Sequence, residues 1–118
     1  AASRLVTLEH LNQIIANDLE VISSGANVPF DENEIFYGPI CQRADEMVSV
    51  IPDFISNCGM ARAFSYFMQE NIDMQPKSVF QSVSETIKNA LLESHHENKQ
   101  KNNIYKTALE IALNKLLK

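Results

Sequence analysis

The sequence predicts an all-α protein, a compact bundle of about five helices in a single domain that spans residues 1–118. Apolar residues recur every three or four positions along most of the chain, which is the spacing of one helix face. No run of alternating apolar and polar residues indicates a strand. The chain has 118 residues, 45% of them hydrophobic, and is therefore long enough to bury one core without a metal or a disulfide.

The clearest helix is predicted from Leu5 to Ile22. Its apolar stripe consists of Leu5, Leu8, Leu11, Ile15, Leu19 and Ile22. Residues 25–29 contain Gly25 and Pro29 and break this helix. Asp31 is then expected to cap a short helical turn toward Tyr37, and the acidic run of residues 31–34 suits a helix start.

Two further helices are predicted in the middle of the chain. The first begins at Pro39, a suitable starting residue, and extends to Ile51, where Pro52 ends or kinks it. The second runs from Asp53 to about Asn71 and is apolar on several sides, which predicts a central, buried helix. Gly59 is expected to let a neighbouring helix approach closely.

The C-terminal third predicts two more helices. Ser78 and Gln81 have the spacing of a capping box ahead of a helix that runs to about Ser94. Residues 95–103 contain no apolar side chain and predict a solvated loop or a frayed helix end. The last amphipathic helix is predicted over residues 104–117.

Charge is divided unevenly along the chain. Residues 1–75 contain eleven acidic and three basic side chains, a net charge of −8, whereas residues 76–118 contain four acidic and seven basic ones, a net charge of +3. The acidic part is expected to repel phosphate backbones and anionic lipid and to attract a basic partner.

Several functional classes lack their sequence signals. No apolar stretch approaches the ~18–20 residues of a membrane span, and the N-terminal stretch is unlike a secretory signal. We therefore predict a soluble, cytoplasmic protein with no membrane partner, in which Cys41 and Cys58 are free, buried thiols. Three glycines cannot supply a phosphate-binding loop, and no nucleophile motif surrounds either cysteine. The prediction is no enzyme activity and no cofactor. Because the first residue is Ala1 rather than Met, we expect a processed form or a piece of a longer chain.

Glu93, His95, His96 and Glu97 are weak candidates for a metal site. Imidazole and carboxylate groups both bind zinc. However, adjacent histidines point in different directions on a helix, and the paired-histidine spacing of helical zinc enzymes is absent. A metal-dependent activity at this segment is therefore the third interpretation, behind a hydrated helix end without ligands.

A second interpretation is a small DNA-binding protein that acts in transcription or replication. Its phosphate contacts would come from lysines of the last two helices: Lys77, Lys88, Lys99, Lys101, Lys106, Lys115 and Lys118. These lysines are scattered, and no arginine accompanies them to read base edges. Solubilising surface residues are the simpler explanation.

The leading interpretation is a non-catalytic protein-interaction module, an adaptor, chaperone-like or regulatory accessory subunit. Its partner is another protein, with a second copy of the chain in a homodimer as one option. Residues 64–68 carry more aromatic and methionine surface than one bundle face can bury. Acidic residues, with Glu9 and Asp18 among them, are expected to steer association. The predicted partner-binding residues are Leu8, Leu11, Ile15, Glu20, Asp45, Glu46, Phe64, Tyr66, Phe67 and Met68.

Overall fold

The computed structural model describes residues 2–118; Ala1, on which the expectation of processing rests, lies outside that range. Within the described range the chain forms six helices and two short strands. In chain order these are α1 (Leu8–Ala16), β1 (Val21–Ser23), α2 (Pro39–Met47), β2 (Ser49–Ile51), α3 (Asp53–Ser56), α4 (Gly59–Phe67), α5 (Pro76–Glu97) and α6 (Ile104–Leu116). The protein is mostly helical, as predicted, but the strands correct the prediction of a strictly all-α fold.

The two strands pair in parallel, with α2 on the crossover connection between them. The register places Val21 opposite Ser49, Ile22 opposite Val50 and Ser23 opposite Ile51. Each strand has three residues, too few to display an alternating pattern along the sequence. Both strands form at the ends of segments that the apolar spacing assigns to helices.

Helix α1 is shorter at both ends than predicted. It begins at Leu8 because the Thr7 hydroxyl accepts a hydrogen bond from the backbone N–H of His10 at 3.2 Å. It ends at Ala16 because the side chain of Asn17 donates to a carbonyl of the last turn and Asp18 adopts a left-handed conformation, with φ 58°. The chain then extends into β1.

Helix α2 begins at Pro39, as predicted, and ends at Met47 before β2. Gly38 supplies no side chain to cap it. The Glu32 carboxylate does so instead, accepting from the backbone N–H of Ile40 at 2.6 Å and of Cys41 at 3.3 Å. Residues 31–37 of the described chain form no helix, so the predicted turn there is wrong. One of its acidic residues caps the following helix.

The core lies among α1, α2, β2 and α6. Its buried cluster consists of Leu11, Phe30, Cys41, Ala44, Val48, Val50 and Tyr105. The Tyr105 ring lies 5.6 Å from that of Phe54, edge to face, and its hydroxyl donates to the Asp53 carboxylate at 2.9 Å. The same carboxylate accepts from the backbone N–H of Val28 at 2.9 Å. Tyr105 therefore joins α6 to α3 and to the loop after β1.

Asp45 links α6 to α2 by hydrogen bonds. Its side chain is fully buried and accepts three hydrogen bonds: from the N–H of Tyr105 at 2.8 Å, the N–H of Lys106 at 3.0 Å and the hydroxyl of Tyr37 at 3.0 Å. The residue that precedes α6, Asn103, gives it no side-chain cap. Asp45 supplies that cap from a distant part of the chain.

The predicted central helix is two helices, α3 and α4, separated at Asn57 and Cys58. The α3 part contains buried residues, whereas α4, described over its whole length, contains none, so the prediction of a central helix is wrong for the α4 part. Helix α5 begins at Pro76, so the predicted capping box at Ser78 is wrong. Helix α6 begins at Ile104, as predicted. Within residues 2–118, no helix combines the length and the apolar character needed to cross a membrane.

Candidate interaction surface

Helices α4 and α5 pack side by side, joined by residues 68–75, and form an antiparallel helical hairpin. Gly59, Arg62, Ala63 and Tyr66 recur at helical spacing on the half-buried face of α4. On this face the Arg62 guanidinium donates to the Ser82 hydroxyl of α5 at 3.1 Å. The α4–α5 hairpin extends beyond the core, and the molecule measures 49 × 30 × 26 Å.

Local hydrogen bonds order the turn of this hairpin. The Tyr66 hydroxyl donates to the backbone carbonyl of Asp73 at 2.9 Å. The Asp73 carboxylate accepts from the Ser78 hydroxyl at 2.5 Å and from the N–H of Gln75 at 3.0 Å. These two bonds lower the pKa of Asp73, because they favour its charged form. The turn is thus a defined structure between the two helices.

The outer side of the hairpin is apolar and exposed. Six side chains form what we call the hairpin patch: Met60, Phe64, Phe67, Met68, Met74 and Phe80. On α4, Met60, Phe64, Phe67 and Met68 share the exposed side of the helix, outside the face that packs on α5. Phe64 is 61% exposed, Phe80 71% and Met68 86%. Arg62 is the only charged residue of α4, and it lies on the opposite face.

The packing inside the hairpin is incomplete. Residues 56–93, all of them described, include no buried residue. The Nε atom of Arg62 is buried without a hydrogen-bond partner, which costs about 1–3 kcal/mol. A pair of helices that buries so little of itself is marginal alone.

Gly59 offers a direct test of this loose packing. A Cβ at this position would lie 3.9 Å from the nearest side-chain atom, a Val83 methyl group. Helix α5 therefore does not approach so closely that position 59 must be a glycine. Gly59→Ala is therefore expected to raise the free energy of unfolding by about 0.5 kcal/mol, since it removes backbone freedom from the unfolded chain. Urea denaturation measures the change; a loss of stability would show that α4 and α5 pack more tightly than this.

The apolar residues predicted on the first helix do not form one accessible stripe. Leu11 is 0% exposed and belongs to the core, so it is unavailable to a partner. Ile15 is half-buried against the same core, while Leu8 is exposed. This helix packs on α2, whereas Phe64 and its neighbours lie on α4, which packs on α5. The two predicted contact regions are therefore on different helix pairs.

The acidic residues predicted to steer association differ in their exposure. Glu9, Asp18, Glu20 and Glu46 are exposed. Asp45 is fully buried, and its carboxylate caps α6. Charge reversal at Asp45 would remove this cap from the folded protein, so its effect on association could not be separated from its effect on stability.

The predicted aromatic cluster is largely at the surface. Phe64, Phe67 and Met68 are exposed, and Tyr66 is half-buried against α5. Sequence reasoning missed Met60, Met74 and Phe80. The spacing of Met60, Phe64 and Phe67, without a charged residue among them, was the available signal for a continuous apolar face.

The metal candidates are dispersed around the end of α5. Glu93 accepts a hydrogen bond from the Lys115 ammonium group at 2.6 Å, and His96 lies 3.6 Å from Glu97 at an exposed position. Across residues 2–118, no group of three or more His, Cys, Asp or Glu side chains is placed to hold a metal ion.

Both cysteines are free. Cys41 is buried and Cys58 is half-buried. Burial, followed by the nearby carboxylate of Glu32, raises the pKa of Cys41, so its sulfur stays protonated at neutral pH. The seven lysines of the C-terminal third are exposed and spread over α5, the following loop and α6. Lys115 among them is paired with Glu93.

No family model, no curated protein and no solved structure matches this chain. The function is therefore inferred from the exposed surface of the α4–α5 hairpin.

Proposed function

We propose that this protein is a non-catalytic interaction module, an adaptor, chaperone-like or regulatory accessory subunit, that binds another protein through the hairpin patch. The observation that carries the proposal is the patch of six exposed methionine and phenylalanine side chains. A fully exposed side chain of this size presents on the order of 150–200 Å². At the observed exposures the six side chains together present roughly 700 Å² of apolar surface, comparable with the ~300–600 Å² of the largest apolar patch on a typical monomer, which is often functional.

The composition of the patch supports protein recognition over nucleic-acid binding. Phenylalanine and methionine are enriched in the centres of protein interfaces, whereas phosphate binding requires basic groups. The exposed face of α4 offers none, because its only cation, Arg62, faces α5. Apolar contact carries the affinity in this proposal, and the exposed acidic residues Glu9, Asp18, Glu20 and Glu46 steer encounter. In the predicted cytoplasmic setting, Cys41 and Cys58 remain reduced.

Site-specific photo-crosslinking tests the proposal. A photoreactive phenylalanine analogue replaces Phe64 in one variant and Leu116, an apolar and even more exposed residue of α6, in a matched control. After each variant is mixed with an extract of its native host and irradiated, we expect a discrete adduct at position 64 and none at position 116. Absence of an adduct at position 64, or equal adducts at both positions, would contradict the proposal.

A further inference from the structure

We propose that the partner at the hairpin patch is a second copy of this chain, so that two hairpins pair about a two-fold axis into a four-helix bundle; this rests on the proposed interaction function. The α4–α5 hairpin supplies two antiparallel helices without a buried core between them. A second hairpin supplies the two helices that such a bundle requires. In a two-fold arrangement the same patch serves both protomers, so one self-complementary surface is sufficient.

The area of the hairpin patch is close to what an interface with a second copy would bury on each chain. A standard-size protein interface buries about 800 Å² on each partner, and the hairpin patch provides roughly 700 Å² of apolar side chain before its polar rim is counted. All six of its side chains are methionine or phenylalanine. Methionine is flexible and packs favourably on aromatic rings, and aromatic rings pack on one another.

The charge distribution indicates where a second copy can dock. The chain carries a net charge of −5, so two copies repel each other over most of their surface. Helix α4 contains no carboxylate. Two molecules that meet along α4 therefore bring no acidic side chains of that helix together.

Sedimentation equilibrium of the purified protein measures the association directly. We expect a molar mass of twice 13.3 kDa at micromolar concentration, retained in 1 M NaCl because apolar contacts are not screened by salt. Phe64→Glu is expected to weaken the dimer by at least about 100-fold, since it places a charge at the centre of the patch. The matched variant Leu116→Glu, which changes an even more exposed apolar residue of α6, is expected to leave the mass unchanged.

A complementation experiment tests the two-fold contact itself. Phe64→Glu and Phe64→Lys are each expected to be monomeric, with circular dichroism spectra like that of the original protein. Mixed in equal amounts, they are expected to recover a dimer, because opposite charges then face each other across the axis. Failure of the mixture to associate would overturn pairing through Phe64, and so would a dimer that Phe64→Glu leaves intact.

The outcomes separate the two proposals. A purified protein that remains monomeric at about 100 µM overturns the second copy as partner, because a concentration that high populates even a weak dimer. If the photo-crosslinker at position 64 then yields an adduct whose mass differs from that of two chains, the interaction function stands with another partner. If it yields no adduct, both proposals fail.

Discussion

Asp45→Ala is expected to lower the free energy of unfolding by about 3 kcal/mol, because it leaves two amides of α6 and the Tyr37 hydroxyl without their acceptor in a buried site. Glu46→Ala is the matched control. Its exposed carboxylate accepts a hydrogen bond from Gln42 on the same helix, and its removal should change stability by less than about 0.5 kcal/mol. Urea denaturation monitored by circular dichroism measures both variants. Equal effects at the two positions would contradict the assigned role of Asp45.

The pH dependence of the same site has a defined sign. Burial raises the pKa of Asp45, and the hydrogen bonds from Lys106, Tyr105 and Tyr37 only partly oppose this. The folded protein therefore holds the Asp45 proton more tightly than the unfolded chain does. The contribution of this proton binding to the free energy of unfolding is complete below the ordinary aspartate pKa, about 3.9. It is lost as the pH rises through the raised pKa of Asp45 in the folded protein.

Asp45→Asn isolates that contribution, because it keeps an acceptor oxygen and removes the titration. The advantage of the original protein over Asp45→Asn in unfolding free energy should be largest at low pH and should shrink as the pH rises through this window. Denaturation at a series of pH values measures the difference. Parallel stability curves for the two proteins would show that burial does not raise the pKa of Asp45.

Leu11→Ala is expected to destabilise the protein by about 3 kcal/mol, because a fully buried leucine of the core cluster is replaced by a cavity. Leu8→Ala, one turn earlier on the same helix, removes an exposed side chain and should cost less than about 1 kcal/mol. The pair therefore distinguishes core packing from an exposed contact stripe on α1. A small effect at Leu11, comparable with that at Leu8, would show that the α1 face is not part of the core.

Much of the helical structure follows from local signals. Pro39 and Ile104 mark observed helix starts, and the apolar spacing that begins near Phe80 and Ile104 corresponds to the two longest helices. These helices are encoded by properties of neighbouring residues: a fixed proline φ and side chains that meet three or four positions apart. Asn17 and Asp18 also carried a local stop signal for α1, which the continuing apolar period through Leu19 and Ile22 obscured.

The candidate surface was only partly predictable. Residues 64–68 stood out by composition, but their spacing is equally compatible with a buried helix, since apolar periodicity indicates a face that is covered and not what covers it. The prediction therefore treated residues 53–71 as the centre of the fold. In the structure the chain breaks after Ser56, α4 leaves the core, and the same side chains become exposed.

The sequence by itself determined a mostly helical protein, its longest helices and an acidic N-terminal part, because these depend on composition and on contacts within a few residues. The tertiary structure decided which carboxylates are structural. Glu32 caps a helix eight residues ahead, Asp45 caps one about sixty residues away, and only folding brings these groups together. It also decided the β1–β2 pairing and the exposure of the hairpin patch. A strand exists only through its partner, and an apolar helix face is core or interface according to which elements pack against it.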